Sequence, residues 1–371
     1  MIFLDNASTT KMFESAAGQY KKYACQLFYN PSAFYRPARE VKNALDEARK
    51  CLLERLGAKQ GQIVFTSGAT ESNNLAIMGS RRNGKWEYVF SMGEHPSVFN
   101  VAKELERQGC VVHYLPLQNN GEVDYDALEK VVNEKTRLVC VMHVSNETGA
   151  LNDIKKVSKI VKSKSKALLH VDGVQAFNKI VFSIDELGAD SYTISAHKFH
   201  GPKGVGALYV RNPNLLKSIV FGGGQENDLR SGTENVPGIM AMKDACEKIN
   251  VSENFEKVQK LKNILCNILQ KDENVKIVES LSPYILSMSY RGVNGETLAR
   301  ALQDEDVLVS TGSACSTKKA GNRILESMGI RKEDVVSSIR ISFNAYITEA
   351  EVEEAGRKIL SCAQKIHLLK I

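Results

Sequence analysis

Residues 138–172 read LVCVMHVSNETGALNDIKKVSKIVKSKSKALLHVD. Leu138–Val144 and Leu168–Val171 are short apolar runs rich in β-branched residues, and Ile154–Ser163 between them repeats its apolar positions at a helical period. A strand, a helix and a second strand in succession form the unit of a parallel sheet, because parallel neighbours need a crossover between them. The alternation extends in both directions. Ile63–Phe65, Tyr88–Phe90, Val111–Leu115 and Tyr192–Ile194 read as further buried strands, and Ser97–Gln108 and Tyr125–Asn133 as helices. The pattern predicts an α/β domain with a mostly parallel central sheet, whose ligands sit beyond the carboxyl ends of the strands.

After about residue 250 the pattern changes. A charged helical stretch, Asn254 to Lys271, is followed by a strand-like run at Tyr284–Tyr290, a helix at Glu296–Gln303 and strands at Val307–Val309 and Ser338–Ser342. Thr348 reads as the N-cap of a last helix, with Glu351 three residues on completing a capping box. These features predict a second, smaller α+β domain. The sequence has no internal repeat, low-complexity tract or Gly/Ser linker, so the two domains are expected to pack tightly.

Composition excludes several classes. Of the 371 residues, 43% are hydrophobic and 25% charged, which excludes a wholly disordered chain, a collagen-like repeat and a disulfide miniprotein. The net charge of +6 is mild, and its densest group, Lys155, Lys156, Lys162, Lys164 and Lys166, reads as a solvated helix face with no direct nucleic-acid binding expected. The eight cysteines include no CxxC pair, so neither a disulfide framework nor a zinc site is expected, and the count suits a reducing compartment. Met1–Thr10 lacks a basic stretch followed by an apolar core, and no apolar run reaches the ~18 residues of a membrane span. A cytoplasmic protein without a membrane association is expected.

Three local patterns carry chemistry. Gly68-Ala69-Thr70 lies between a strand and the helical stretch Glu71–Gly79. Such a small-residue turn offers backbone N–H groups to an anion, or simply caps the helix. It lacks the Gly-Lys-Ser/Thr ending of a P-loop and suits a single phosphate. Asp172 closes an apolar run, where a carboxylate can start a helix or pair with a protonated pyridine nitrogen. Ser195-Ala196-His197-Lys198 follows the strand Asp190–Ile194 and runs into a glycine-rich turn, Gly201-Pro202-Lys203-Gly204-Val205-Gly206. A lysine in that position can reach a cofactor aldehyde, with Ser195 and His197 beside it as donors to a phosphate.

At these residues the chain resembles the cysteine desulfurases of the NifS/IscS type, in the class V aminotransferase group of pyridoxal-phosphate enzymes. The resemblance runs over nearly the whole chain. Its blocks are residues 4–10, Asn30-Pro31-Ser32, residues 65–74 (FTSGATESNN), Glu94-His95, Asn146-Glu147-Thr148-Gly149 and His170-Val171-Asp172. They continue with residues 195–208, Gly222-Gly223-Gly224-Gln225-Glu226, Arg230-Ser231-Gly232-Thr233, Ser310-Thr311-Gly312-Ser313-Ala314-Cys315 and residues 338–342 (SIRIS). The resemblance implies the fold type I aminotransferase-like arrangement, with a large pyridoxal-phosphate-binding domain at 15–250. Residues 1–14 and 251–371 would form a small domain carrying the catalytic cysteine loop.

The same resemblance assigns roles. Lys198 would hold pyridoxal 5'-phosphate and move protons, and His95 would stack on the ring and act as an acid/base group. Asp172 would pair with the ring nitrogen and Gln175 with the ring hydroxyl. Ala69, Thr70, Ser195 and His197 would cradle the phosphate, joined by Thr233 from a partner subunit, which implies a homodimer. Arg340, assisted by Asn146, would clamp the substrate carboxylate. Cys315, among small polar neighbours with Lys318 and Lys319 close by, would take the sulfur of L-cysteine as a persulfide and pass it to an acceptor protein, either a cluster scaffold or a tRNA-thiolation enzyme. A selenocysteine lyase or another class V enzyme remains the alternative. Tyr35 stands where the family often has His, and Asn152-Asp153 where it often has Gln-Pro or Gln-Asp. Ile371 follows closely on the last helix, whereas longer members use a C-terminal extension to dock an iron–sulfur scaffold.

Overall fold

The computed structural model describes residues 1–311 and 322–369. In chain order its strands are β1 (Ile2–Phe3), β2 (Gln62–Thr66), β3 (Glu87–Ser91), β4 (Val111–Leu115), β5 (Thr136–Cys140) and β6 (Leu168–Asp172). They continue as β7 (Ser191–Ser195), β8 (Gly206–Val210), β9 (Val275–Val278), β10 (Ile285–Tyr290), β11 (Val307–Leu308) and β12 (Ser338–Ser342). A seven-stranded sheet takes the order β2-β8-β7-β6-β5-β3-β4. Its pairings are parallel except at β8, which runs antiparallel to both β2 and β7. It follows that β2 runs in the same direction as β3, β5, β6 and β7, so the carboxyl ends of these strands open along one edge.

Both faces of this sheet are covered. Along β5, Leu138 and Cys140 enter one core while Val139 and Val141 enter the other. Of the helices, α1 (Glu14–Cys25) and α2 (Arg36–Leu56) come first in the chain, and the first face packs against the next two, α3 (Ala69–Gly79) and α4 (Pro96–Arg107), through Leu75, Ile77, Val98 and Leu105. The second packs against the helices Arg36–Leu56 and Val236–Lys248 through Val41, Leu45, Leu52, Ile239 and Met242. Burial on both faces explains why these strands read as near-continuous apolar runs.

β8 was not expected from the sequence. Its first residue, Gly206, sits where a Cβ would lie 2.6 Å from the Ile194 carbonyl oxygen and 2.8 Å from the Gly68 Cα. The missing side chain lets the turn after β2 close against β7, and so brings Gly68 towards the strand that ends at Lys198.

A second core joins the chain's beginning to its end. Ile2, Leu4 and Ala7 pack with Leu261, Leu265, Leu286, Ile341, Val352 and Ile359. β1 pairs in parallel with β11, and β12-β10-β9 form an antiparallel sheet covered by the helices Val251–Leu269 and Glu349–Leu368. The capping box at Thr348 and Glu351 is present in both directions. A smaller cluster seats Ile324, Leu325, Met328 and Val335 against Leu117 of the β4 side. No helix among the described residues is long and apolar enough to cross a membrane.

Candidate active site

The open edge of the large sheet gathers most of the residues singled out above. β2 leads into Gly68, the N-cap of α3, which has φ +150° and no side-chain cap. The first N–H groups of a helix have no partner within it, so Ala69 and Thr70 present donors at the positive end of the helix dipole. Glu71 in this first turn would repel an anion. Its carboxylate is instead held by Arg230, with Nε donating to Oε1 at 2.6 Å and Nη2 to Oε2 at 3.2 Å, and its pKa is lowered. A Cβ at Gly68 would meet nothing within 4 Å, so open space faces this turn.

β6 ends at Asp172, which is buried. Its Oδ1 accepts from the Val174 N–H at 3.1 Å and its Oδ2 from Asn73 Nδ2 at 2.9 Å. Residues 173–176 form a turn rather than a helix, so Asp172 is not a helix cap here. Gln175, also buried, donates from Nε2 to the Ala7 carbonyl at 2.8 Å and accepts from Lys179 Nζ at 2.6 Å. Burial, reinforced by the positive charges of Lys198 and Arg340, pushes the Lys179 ammonium down to about 7.

β7 ends at the buried Ser195, and Lys198 stands on the single 3-10 turn that follows. Lys198 Nζ donates to the carbonyls of Ala7 at 2.7 Å and Ser8 at 2.6 Å, so the N-terminal segment grips the amine. His197 Nδ1 lies 3.2 Å from Thr9 Oγ1, and burial, with Lys198 and other lysines adding to it, holds this imidazole down at about 4. A narrow cleft lined by Thr10, Lys179, Lys198, Tyr284 and Asn344 reaches this turn.

His95 caps α4, its Nδ1 accepting the Ser97 N–H at 3.1 Å and lying 2.8 Å from Ser97 Oγ. Burial lowers its pKa against the opposing pull of Asp172, so the imidazole is neutral with its proton on Nε2. Arg340 comes from β12. Its guanidinium donates to the Asn146 carbonyl at 3.0 Å, Glu147 Oε1 at 3.1 Å and Asp5 Oδ1 at 2.9 Å. Among the described residues, Arg340 Nε and Asn146 Oδ1 are buried with no partner.

Two expected members stand apart. Thr233 is exposed, and Cys315 lies outside the described residues. Several residues to which the sequence reading gave no role belong to the cluster: Asn73, Glu94, Lys179, and the carboxylates Asp5 and Glu147. All of these except Lys179 fall within the motif blocks, but only their spatial partners reveal what they hold.

The class-V aminotransferase family matches residues 2–354 of the chain. The chain is 39% identical over 384 residues to a protein named cysteine desulfurase IscS from Buchnera aphidicola, covering 100% of this chain and 93% of that one. A solved NifS-like protein superposes with a TM-score of 0.92 at 34% identity, over 98% of this chain and 99% of the other. The structure of SspA in complex with cysteine superposes with a TM-score of 0.83 at 29% identity, over 94% and 100% of the two chains.

Proposed function

The chain belongs to the class-V aminotransferase family, among its NifS/IscS-type cysteine desulfurases, and we propose that it moves the sulfur of L-cysteine onto its own Cys315 and releases L-alanine. Enzymes of this family carry pyridoxal 5'-phosphate, which when bound supplies the electron sink that lets a carbon–sulfur bond break.

The residues present fit that group. A buried carboxylate is costly without a cation beside it. The hydrogen-bond partners of Asp172 among the described residues are two neutral N–H donors, and a protonated ring nitrogen would supply a positive one. This buried carboxylate, hydrogen-bonded among the described residues to neutral groups and standing on the same sheet edge as Lys198, is the observation that carries the reading. Ala69, Thr70, Ser195 and His197 would hold the phosphate, Gln175 the ring hydroxyl and Lys198 the aldehyde carbon.

The chain's own groups then have separable tasks. Lys198 takes and returns a proton at Nζ. His95 offers the proton on Nε2, a neutral imidazole suiting that exchange near neutral pH. Arg340 already rests on two carboxylates, Asp5 and Glu147; its unpaired Nε and the unpaired Asn146 oxygen are suited to the carboxylate and ammonium ends of an amino acid. In the net reaction, L-cysteine and the Cys315 thiol give L-alanine and the Cys315 persulfide, with every sulfur and hydrogen retained.

The reading extends to the chain's organisation. A large unit at 15–250 and a small one at 1–14 with 251–371 agree with cores drawn from residues 16–251 and from residues 2–7 with 258–363. A homodimer is supported by the exposure of the large apolar side chains Phe28, Phe34 and Phe221 and by that of Thr233, on the segment tied to α3 through Arg230 and Glu71. A sulfur-acceptor protein, a cluster scaffold or tRNA-thiolation enzyme, and a cytoplasmic location complete it.

The test is to supply the purified chain with pyridoxal 5'-phosphate and L-cysteine without reductant, then measure alanine and map the added sulfur. Alanine with one extra sulfur on the Cys315 peptide is expected. Alanine formed without sulfur on Cys315, or only from selenocysteine, overturns the reading.

A further inference from the structure

Beneath the candidate site a branched chain of hydrogen bonds joins Asp172 and His95 through Asn73 and Ser97 and extends to His170 and Ser191, four side chains that the reaction itself does not account for. Asn73, on the second turn of α3, is fully buried. Its Nδ2 donates to Asp172 Oδ2 at 2.9 Å and to Ser97 Oγ at 2.8 Å, and its Oδ1 lies 3.0 Å from His170 Nε2. His170 Nδ1 lies 2.8 Å from Ser191 Oγ, and Ser97 Oγ lies 2.8 Å from His95 Nδ1.

Donor and acceptor roles in this chain are forced. The amide must face Asp172 with its nitrogen, because the reverse orientation would set the Oδ1 lone pairs against a carboxylate in a buried site. With Oδ1 then facing His170, that Nε2 must carry a hydrogen. Burial keeps His170 neutral, so its Nδ1 is bare and accepts from Ser191. On the other arm, Ser97 Oγ accepts from Asn73 and therefore points its own hydrogen at His95 Nδ1, which already accepts the Ser97 N–H. Both Nδ2 hydrogens of Asn73 are used, one on each arm.

We propose that Asn73 is the positioning residue that couples Asp172 to His95, fixing the carboxylate and the imidazole tautomer through one amide group. The proposal rests on the functional reading above. Asn73 touches neither substrate nor cofactor; it acts through the two residues it holds. Removing the donor at a branch point loosens the members on each arm beyond it, so the loss at Asn73 should appear in two measurable places, cofactor binding through Asp172 and turnover through His95.

The experiment uses the full chain as wild type and as Asn73→Ala, Asn73→Asp, Ser97→Ala and the Asn73→Ala/Ser97→Ala pair. Affinity for pyridoxal 5'-phosphate is titrated on the cofactor-free proteins, and cysteine turnover is measured on the loaded ones. Asn73→Ala is expected to weaken cofactor affinity about tenfold and lower kcat about tenfold, with KM within twofold. Ser97→Ala should lower kcat alone. The pair should lose no more kcat than Asn73→Ala, because both substitutions cut the same arm. Asn73→Asp keeps the side chain's shape but leaves at most one proton, shared with Asp172, in place of two donors; it cannot serve both arms and should fail like Asn73→Ala. If Asn73→Ala does not fold, the Asn73→Asp and Ser97→Ala results decide. Wild-type affinity and kcat in Asn73→Asp, losses that multiply in the pair, or a lowered thermal midpoint with both parameters unchanged would each overturn the proposal. A wild-type chain that binds cofactor but does not turn over cysteine instead overturns the functional reading, and the cofactor titration still reads the Asp172 arm.

Discussion

Two lysines compete for the same chemistry at the sheet edge. Lys198 is held by the Ala7 and Ser8 carbonyls, while Lys179 is buried with its ammonium pushed down to about 7, so that part of it is free amine near neutral pH. Lys179 is occupied by Gln175, however, and stands seven residues after Asp172, in the turn that follows β6. Borohydride reduction of the cofactor-loaded protein is therefore expected to fix the adduct on the Lys198 peptide, and Lys198→Ala to lose at least a roughly thousandfold share of turnover. An adduct on Lys179 would reverse the assignment. Glu94 offers a test by pH. Its side chain is fully buried, and burial, with the Asp172 carboxylate adding to it, pushes the carboxyl up to about 8; its Oε1 accepts from the Met142 N–H while Oε2 has no partner among the described residues. The folded chain thus keeps a proton that the unfolded chain loses near the ordinary glutamate value. Stability should fall as pH rises from about 4.5 to about 8. Glu94→Gln keeps the donor and acceptor without the titration. For the cofactor-free protein its thermal midpoint should match wild type near pH 5 and exceed it by about 3 °C near pH 8. A difference of equal size at both pH values would show that Glu94 does not titrate there.

At the scale of elements, the last helix illustrates how far local sequence carries. Thr348 Oγ1 accepts the Glu351 N–H and Glu351 Oε2 accepts the Thr348 N–H, as the spacing alone requires. Behind this cap, Val352, Ala355, Ile359 and Ala363 pack on the second core. Thr348→Ala should lower unfolding stability by about 1 kcal/mol in a denaturant titration while specific activity stays at the wild-type value. No change in midpoint would show that the cap adds nothing beyond the packed face. The strands from β2 to β7 were legible for a similar reason, since burial on both faces leaves β-branched runs. β8 was hidden because the glycine-rich turn before it reads as loop, and its antiparallel place between β2 and β7 is a tertiary fact. The helix Arg36–Leu56 carries a readable apolar stripe, Val41, Leu45, Ala48 and Leu52, at helical spacing. Of the site, the residues in motif blocks were legible, whereas Asn73's two-armed contact depends on α3, α4 and β6 meeting. No local pattern records that meeting.

On the scale of the whole molecule, the position of Thr233 decides how sites are built. It is exposed on one chain, on a segment pinned to the start of α3 by Arg230 and Glu71, and Phe28, Phe34 and Phe221 are exposed at 66%, 99% and 85%. Exposed aromatic side chains are enriched where protein surfaces meet, and an interface between two copies of the chain is the arrangement proposed above. If a second copy covers it, Thr233 of each chain completes the phosphate cradle of the other, and neither chain holds a whole site. The consequence can be tested by mixing defects. A dimer of one Lys198→Ala chain and one Thr233→Ala chain contains one site with both losses and one site with neither, because the intact Lys198 and the intact Thr233 meet across the interface. Co-expressed, differently tagged chains purified as the mixed dimer should therefore bind one cofactor with wild-type affinity and show about half the wild-type turnover per dimer, although Lys198→Ala alone is inactive and Thr233→Ala alone binds cofactor about tenfold more weakly. If Thr233 served its own chain, the mixed dimer would hold its functional cofactor only with the weakened affinity of Thr233→Ala. Restored affinity distinguishes the two arrangements, since no contact within one chain can return a hydroxyl that the chain no longer carries.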